Sequence, residues 1–159
     1  MFTDLKDGVL KAASKSQLPV IGRTDKVDLP AFKLVNVPAK IDTGAYGSSI
    51  HCRDVKVVER GDDREITFRI PSDRPGPGRI FHSSNFTRKR VRSSSGHTEE
   101  RYIITTAIVL FGQEIETSFS LADRSVMKYP LLLGRRVLQR RFVVDVSRTN
   151  LSYKAKMKS

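Results

Sequence analysis

Asp42, Thr43 and Gly44 are the residues of this chain best suited to chemistry. They follow an apolar stretch, Val35 to Ile41, and precede Ala45 and a second extended stretch, Tyr46 to Cys52. An aspartate held on a tight loop between two strands projects its carboxylate into a cleft. A carboxylate so placed can activate water when a second one shares a proton with it. One accepts a proton from water while the other donates to a carbonyl oxygen. The Thr43 hydroxyl can tie such a loop down, and Gly44 permits positive φ and close backbone approach. Taken alone, the three residues also fit an ordinary turn between strands.

A second segment bears on the first. Leu131, Leu132 and Leu133 form a short apolar run closed by Gly134, and Arg135-Arg136-Val137-Leu138 continues as a short helix-like piece. By itself this is a buried strand, a turn and a helical cap. The chain holds one Asp-Thr-Gly and no Asp-Ser-Gly. A two-carboxylate mechanism therefore needs a second copy of the chain, related by a two-fold axis through the site. A homodimer is the expected partner arrangement.

The elements that must position these residues are mostly strands. Alternating or β-branched runs predict strands over Lys26–Leu29, Ser49–Val58, Glu65–Ile70, Tyr102–Leu110 and Glu114–Leu121. Gly61-Asp62-Asp63 and Gly112-Gln113 read as turns, and Pro71 to Gly78 as a loop. Ser93, Ser94, Ser95 and Gly96 read as a hairpin tip with arms Phe86–Arg92 and Glu99–Thr106. Residues 1–17 form an N-terminal extension with helical character through Leu5, Val9 and Leu10, residues 18–148 the domain, and 149–159 a basic tail. With 159 residues, 38% of them hydrophobic and 29% charged, the chain fits one globular domain.

Composition limits the partners. The formal net charge of +12 favours polyanions: nucleic acid, an anionic surface or an acidic peptide. Arg88, Arg90 and Arg92 alternate and so fall on one face of a hairpin arm. No run is apolar for long enough to span a membrane, and the N-terminal residues lack a signal-peptide core, which points to the cytoplasm. The single Cys52 fits a reducing compartment.

Rival chemistries find less support. His-Glu-x-x-His is absent, and His51, His82 and His97 lack paired metal-ligand spacing, so neither zinc nor another metal is expected. No Gly-x-x-x-x-Gly-Lys phosphate loop is present, so no nucleotide cofactor is expected. His97-Thr98-Glu99 lacks the Pro-Cys-x-x-Cys of a deaminase, and no Gly-x-Ser-x-Gly marks a serine nucleophile. His51 and Cys52 are adjacent, which in a strand sends their side chains to opposite faces.

Together the motifs resemble the retropepsin-like aspartic proteases. Within that fold they are similar to the bacterial RimB-like branch, whose members accompany RimK- or LysX-type ligases and carry zinc and ATP in an inherited name. The resemblance runs from about Pro19 to Val146. It rests on Val20-Ile21-Gly22-Arg23, Ala39-Lys40-Ile41-Asp42-Thr43-Gly44-Ala45 with Ser48, Ser49 and His51, and Val91-Arg92-Ser93-Ser94-Ser95-Gly96. It rests also on Arg101-Tyr102-Ile103-Ile104, Ala122-Asp123-Arg124-Ser125-Val126-Met127 and Leu132-Leu133-Gly134-Arg135-Arg136.

The resemblance implies a mainly β, closed retropepsin-like barrel with a flap hairpin and one short C-terminal helix. It implies Asp42 as catalytic residue, with Thr43, Gly44, Leu132, Leu133 and Gly134 supporting its loop. Ser93 to Gly96 would be the flap tip, and Arg88, Arg90, Arg92 and Arg135 would meet the substrate. It also implies a RimK-type glutamate ligase as functional partner and a glutamylated ribosomal protein as substrate, which suits a chain of charge +12. Retroviral members carry an acidic residue two places after the Gly, paired with the Arg after the second motif; here Tyr46 stands there. The alternative is a non-catalytic basic module of the same fold, docked on a ribosomal protein or RNA, so nucleic acid stays open as a partner.

Overall fold

The computed structural model describes residues 17–71, 75–92, 95–123 and 128–159. Six strands close into a barrel. They are β2 (Thr24–Leu29), β3 (Leu34–Ile41), β4 (Ser48–His51), β9 (Thr98–Leu110), β10 (Gln113–Ala122) and β11 (Leu131–Leu133). Their order is β10-β4-β11-β3-β2-β9, and β9 pairs back onto β10 to close the ring. Two neighbour pairs, β10 with β4 and β11 with β3, are parallel, and the others antiparallel. Alternation sends Val27, Leu29, Ile104, Ile108, Leu110, Phe119 and Leu133 into the interior, where they are almost entirely buried. The predicted mainly β barrel is the fold observed.

β8 (Phe86–Arg92) extends the sheet beyond β9. The two make the predicted hairpin, whose described tip residue Gly96 has φ +87. Ser93 and Ser94 lie outside the described residues, as do the N-terminal helical segment and residues 124–127. A separate sheet of β5 (Arg53–Arg60), β6 (Asp63–Ile70) and β7 (Arg79–Ser83) is fastened to the barrel by aromatic contacts. Phe32, from a single 3-10 turn over Pro30–Phe32, meets Phe68 and Phe81 edge to face at 5.8 and 5.4 Å.

Ser49–Val58, predicted as one strand, is two. β4 belongs to the barrel and β5 to the outer sheet, and the chain changes sheets at Cys52 to Asp54. Asp54 takes φ +55, a left-handed conformation that Asp tolerates better than most residues. The β5–β6 register is also irregular between Arg53 and Lys56.

Beyond β11 come α1 (Arg135–Leu138) and β12 (Val143–Val144), which pairs in parallel with β1 (Val20–Ile21). The basic tail contains a helix, α2 (Leu151–Lys158), docked on β2. Its start is held by Asp25, only 1% exposed, which accepts hydrogen bonds from Ser152 N–H at 2.9 Å and Tyr153 N–H at 3.1 Å. These are amides that a helix start otherwise leaves unpaired. Further along, Lys156 Nζ lies 2.9 Å from an Asp28 carboxylate oxygen and 2.9 Å from Asn36 Oδ1. Among the described residues, no helix is long and apolar enough to cross a membrane.

Candidate active site

The geometry of the site follows from one topological fact. β3 and β4 are joined by residues 42–47 yet are not neighbours, because β11 lies between them. The connecting loop must therefore pass over the end of β11, where Gly134 sits. Leu133 O accepts the Asp42 N–H at 2.9 Å, and Gly134 N–H donates to the buried Ser48 Oγ at 3.1 Å. Arg135 N–H donates to Ala45 O at 2.8 Å and Arg136 N–H to Tyr46 O at 2.9 Å. The loop crosses Gly134 so closely that a Cβ there would lie 2.2 Å from Gly47 O and 2.8 Å from Ala45 O. Only glycine fits beneath it.

Asp42 is half-buried and points its carboxylate back over its own loop, where Gly44 N–H donates to Oδ1 at 2.9 Å. Gly44 does not use the positive φ that glycine permits. Its lack of a side chain serves approach instead, since a Cβ would sit 3.2 Å from the same carboxylate oxygen. Thr43 is exposed and contributes its carbonyl, which accepts from Arg135 Nη1 at 3.0 Å. The same guanidinium lies 5.8 Å from the Tyr46 ring centroid, within cation–π range. Tyr46 thus meets Arg135 where an acidic residue would stand in retroviral members, and Arg135 grips the Asp42 loop from beneath.

Asp42 opens into a cleft of about 730 Å³ between the barrel and the β8–β9 hairpin. Ser49, Leu132, Tyr102, Asp54 and Glu100 line it, and Leu132 turns into it while Leu131 and Leu133 are buried. Its lining is acidic and also includes Glu99 and Asp123, with Arg101 beside them, a grouping that only the folded chain brings about. Asp54 is matched by Arg69 Nε at 3.1 Å. Arg88, Arg90 and Arg92 are not part of the cleft wall. They follow one face of β8, in register with Tyr102, Glu100 and Thr98 of β9. Glu100 is the link: its Oε1 lies 3.9 Å from Arg88 Nη1 and 4.0 Å from Arg90 Nε. Strand register alone carries this relation; the charge pattern of either arm does not.

The donors for a metal are dispersed. His51 is buried in β4, His82 lies on β7 with Nδ1 3.3 Å from Glu65 Oε1, and His97 is exposed beside the hairpin tip. Among the described residues no three His, Cys, Asp or Glu side chains gather as a metal-holding group, so the residues present do not fit the zinc of the inherited name. Cys52 is fully buried, and burial, aided by the nearby negative charge of Asp123, pushes its thiol up to about 12. It stays protonated and is a packing residue rather than a nucleophile.

A closed β-barrel carrying Asp-Thr-Gly above a Leu-Leu-Gly strand end, with a hairpin across the cleft, defines a retropepsin-like aspartic peptidase fold. The chain belongs to the RimB-like family, described as retropepsin-like aspartic endopeptidase RimB, whose model matches residues 20–155. It is 30% identical over 130 residues to a protein of Shewanella pealeana named probable alpha-L-glutamate ligase, and 32% identical over 128 residues to one of the same name from Parasynechococcus marenigrum. These matches take in 80% and 79% of this chain but 28% of each relative, so the chain spans little more than a quarter of their length. A crystal structure of a Legionella pneumophila protein of unknown function superposes with a TM-score of 0.69 at 24% identity, over 84% of this chain and 98% of that one. That likeness bears on the fold.

Proposed function

We propose that this chain is an active aspartic endopeptidase. Two copies bring their Asp42 carboxylates together to hydrolyse peptide bonds in an acidic substrate, the glutamate tail that a RimK-type ligase adds to a ribosomal protein in the cytoplasm. The observation that carries the reading is the fixing of Asp42 at the base of a cleft, its backbone on Leu133 O and its carboxylate on Gly44 N–H. A binding module would need no such arrangement. The exposure of Thr43, Gly44, Tyr46 and Gly47 supports the dimer, because the loop stands open to a second copy. The net charge of +12 and the glutamate-ligase names of the longer relatives support the substrate.

The chemistry follows from a pair of carboxylates sharing one proton. The ionised member takes a proton from a water molecule as the water oxygen attacks the scissile carbonyl carbon. The protonated member gives its proton to the carbonyl oxygen. The resulting tetrahedral diol collapses as the C–N bond breaks. The leaving nitrogen takes one proton from the dyad, a hydroxyl of the diol returns one, and the pair recovers its single shared proton. Arg88, Arg90 and Arg92, together with Arg135, would attract the acidic chain, with Ser95 and Gly96 near the hairpin tip.

Asp42→Asn tests the reading. It preserves shape and removes the acid–base group, so cleavage of a glutamate-tailed peptide should fall by about 10²–10⁴-fold or more while the circular dichroism spectrum is unchanged. Cleavage at the wild-type rate would leave the binding-module reading standing.

A further inference from the structure

We infer that Arg88 and Arg90 form a carboxylate-binding subsite on the hairpin, and that Glu100 fills it until an acidic peptide displaces it. The inference rests on the acidic-substrate reading above and adds to it a residue that sets how tightly the substrate is held.

Register places the three side chains together. Arg90 pairs directly with Glu100 across the β8–β9 ladder, and Arg88, two residues earlier, pairs with Tyr102. Residues two apart on a strand share a face, so Glu100 and Tyr102 point the same way. Both line the Asp42 cleft. One carboxylate thus stands between two guanidiniums and at the edge of the site.

Distance sets this contact with the loose, exposed ion pairs of the molecule, Arg101–Glu99 at 3.7 Å and Arg64–Glu59 at 3.8 Å, and apart from the close ones. Lys156 meets Asp28 at 2.9 Å and Arg69 meets Asp54 at 3.1 Å, both at hydrogen-bond length. The Glu100 contacts, at 3.9 and 4.0 Å, are too long for hydrogen bonds. Glu100 neutralises the pair without saturating it. A guanidinium presents a planar fork that matches a carboxylate with two parallel hydrogen bonds, and that capacity remains open here. A substrate carboxylate able to approach end-on would exchange a loose contact for a close one. Glu100 then acts as a built-in competitor, holding off weakly acidic peptides and yielding to a run of glutamates.

Binding measured without turnover tests this. A fluorescein-labelled oligoglutamate peptide is titrated onto the Asp42→Asn protein, with and without Glu100→Gln. Exposed ion pairs are individually weak, so removing Glu100 should lower Kd by about two- to fivefold. Glu114→Gln, at the start of β10 and paired with Val109 at the far end of β9, alters the net charge equally and should leave Kd unchanged, as should either substitution with an oligoglutamine peptide. Equal or weaker oligoglutamate binding by the Glu100→Gln protein would overturn the inference alone. An equal gain from Glu114→Gln would do the same, since net charge would then explain it. Binding by neither protein would bring down the substrate reading together with the inference.

Discussion

Gly134→Ala should disable the site from below. The new methyl would start 2.2 Å from Gly47 O and 2.8 Å from Ala45 O. Carbon–oxygen contact is tolerable from about 3.3 Å, so the loop must retreat by about 1 Å. Three hydrogen bonds cannot follow: Arg135 N–H to Ala45 O at 2.8 Å, Arg136 N–H to Tyr46 O at 2.9 Å, and Gly134 N–H to Ser48 Oγ at 3.1 Å. Stretched by that amount they pass out of bonding range. At about 1 kcal/mol each, the loss is about 3 kcal/mol. In a domain of this size that lowers Tm by about 6–12 °C. Displacing a catalytic group by about 1 Å can cost about 10²-fold in rate, and Asp42 rides on the same loop. Gly47→Ala is the matched control for stability, because a Cβ there meets nothing within 4 Å. Thermal unfolding of both variants, with kcat/KM of the Gly134→Ala protein on a glutamate-tailed peptide, gives the answer. A Gly134→Ala protein that melts and cleaves like wild type, or a Gly47→Ala protein equally destabilised, would refute the reasoning.

Two further outcomes can be checked. Burial pushes the Asp28 carboxyl up, but hydrogen bonds from Asn36 N–H and Lys156, with the Lys156 charge, outweigh it and hold the group below its ordinary value. Stability from this contact is fully present above the ordinary carboxylate range near pH 4, and is lost as pH falls through the lowered value of Asp28. Urea unfolding of wild type and Lys156→Met should differ by under about 1 kcal/mol at neutral pH and converge in acid; a gap that widens in acid would contradict the assignment. Cleavage should also persist after chelator treatment and without nucleotide, and strict dependence on added zinc would show that the dispersed histidines misled us.

Much of the site was legible because its residues are constrained locally. Asp-Thr-Gly and Leu-Leu-Gly declare a tight loop and a buried strand end, and alternation declared most of the barrel strands. What escaped depends on distant partners. Residues 151–158 have no apolar stripe and read as a basic tail, because the carboxylates that dock the helix, Asp25 and Asp28, lie about 127 residues away. The break at Cys52 is a change of sheet, which no local pattern encodes. Of the two freedoms glycine offers at position 44, the turn uses close approach to the Asp42 carboxylate and not positive φ, a choice that the local sequence leaves open. The acidic wall of the cleft was hidden because Glu99, Glu100 and Asp123 acquire meaning only through the register that carries them to Asp42.

The insertion of β11 between β3 and β4 also sets when the Asp42 loop can be secured. Gly134 reaches Ser48 across 86 residues and Arg135 reaches Thr43 across 92. Contacts so far apart in sequence close slowly, since the chain must meet the entropy of a long loop before they stabilise it. On the ribosome, Asp42 leaves the exit tunnel well before Leu131 to Arg136 exist to hold it. A nascent or partly folded chain therefore carries the carboxylate without its foundation. The loop is therefore secured only once the chain through Arg136 has been made, and any chemistry that depends on a fixed Asp42 must wait for it.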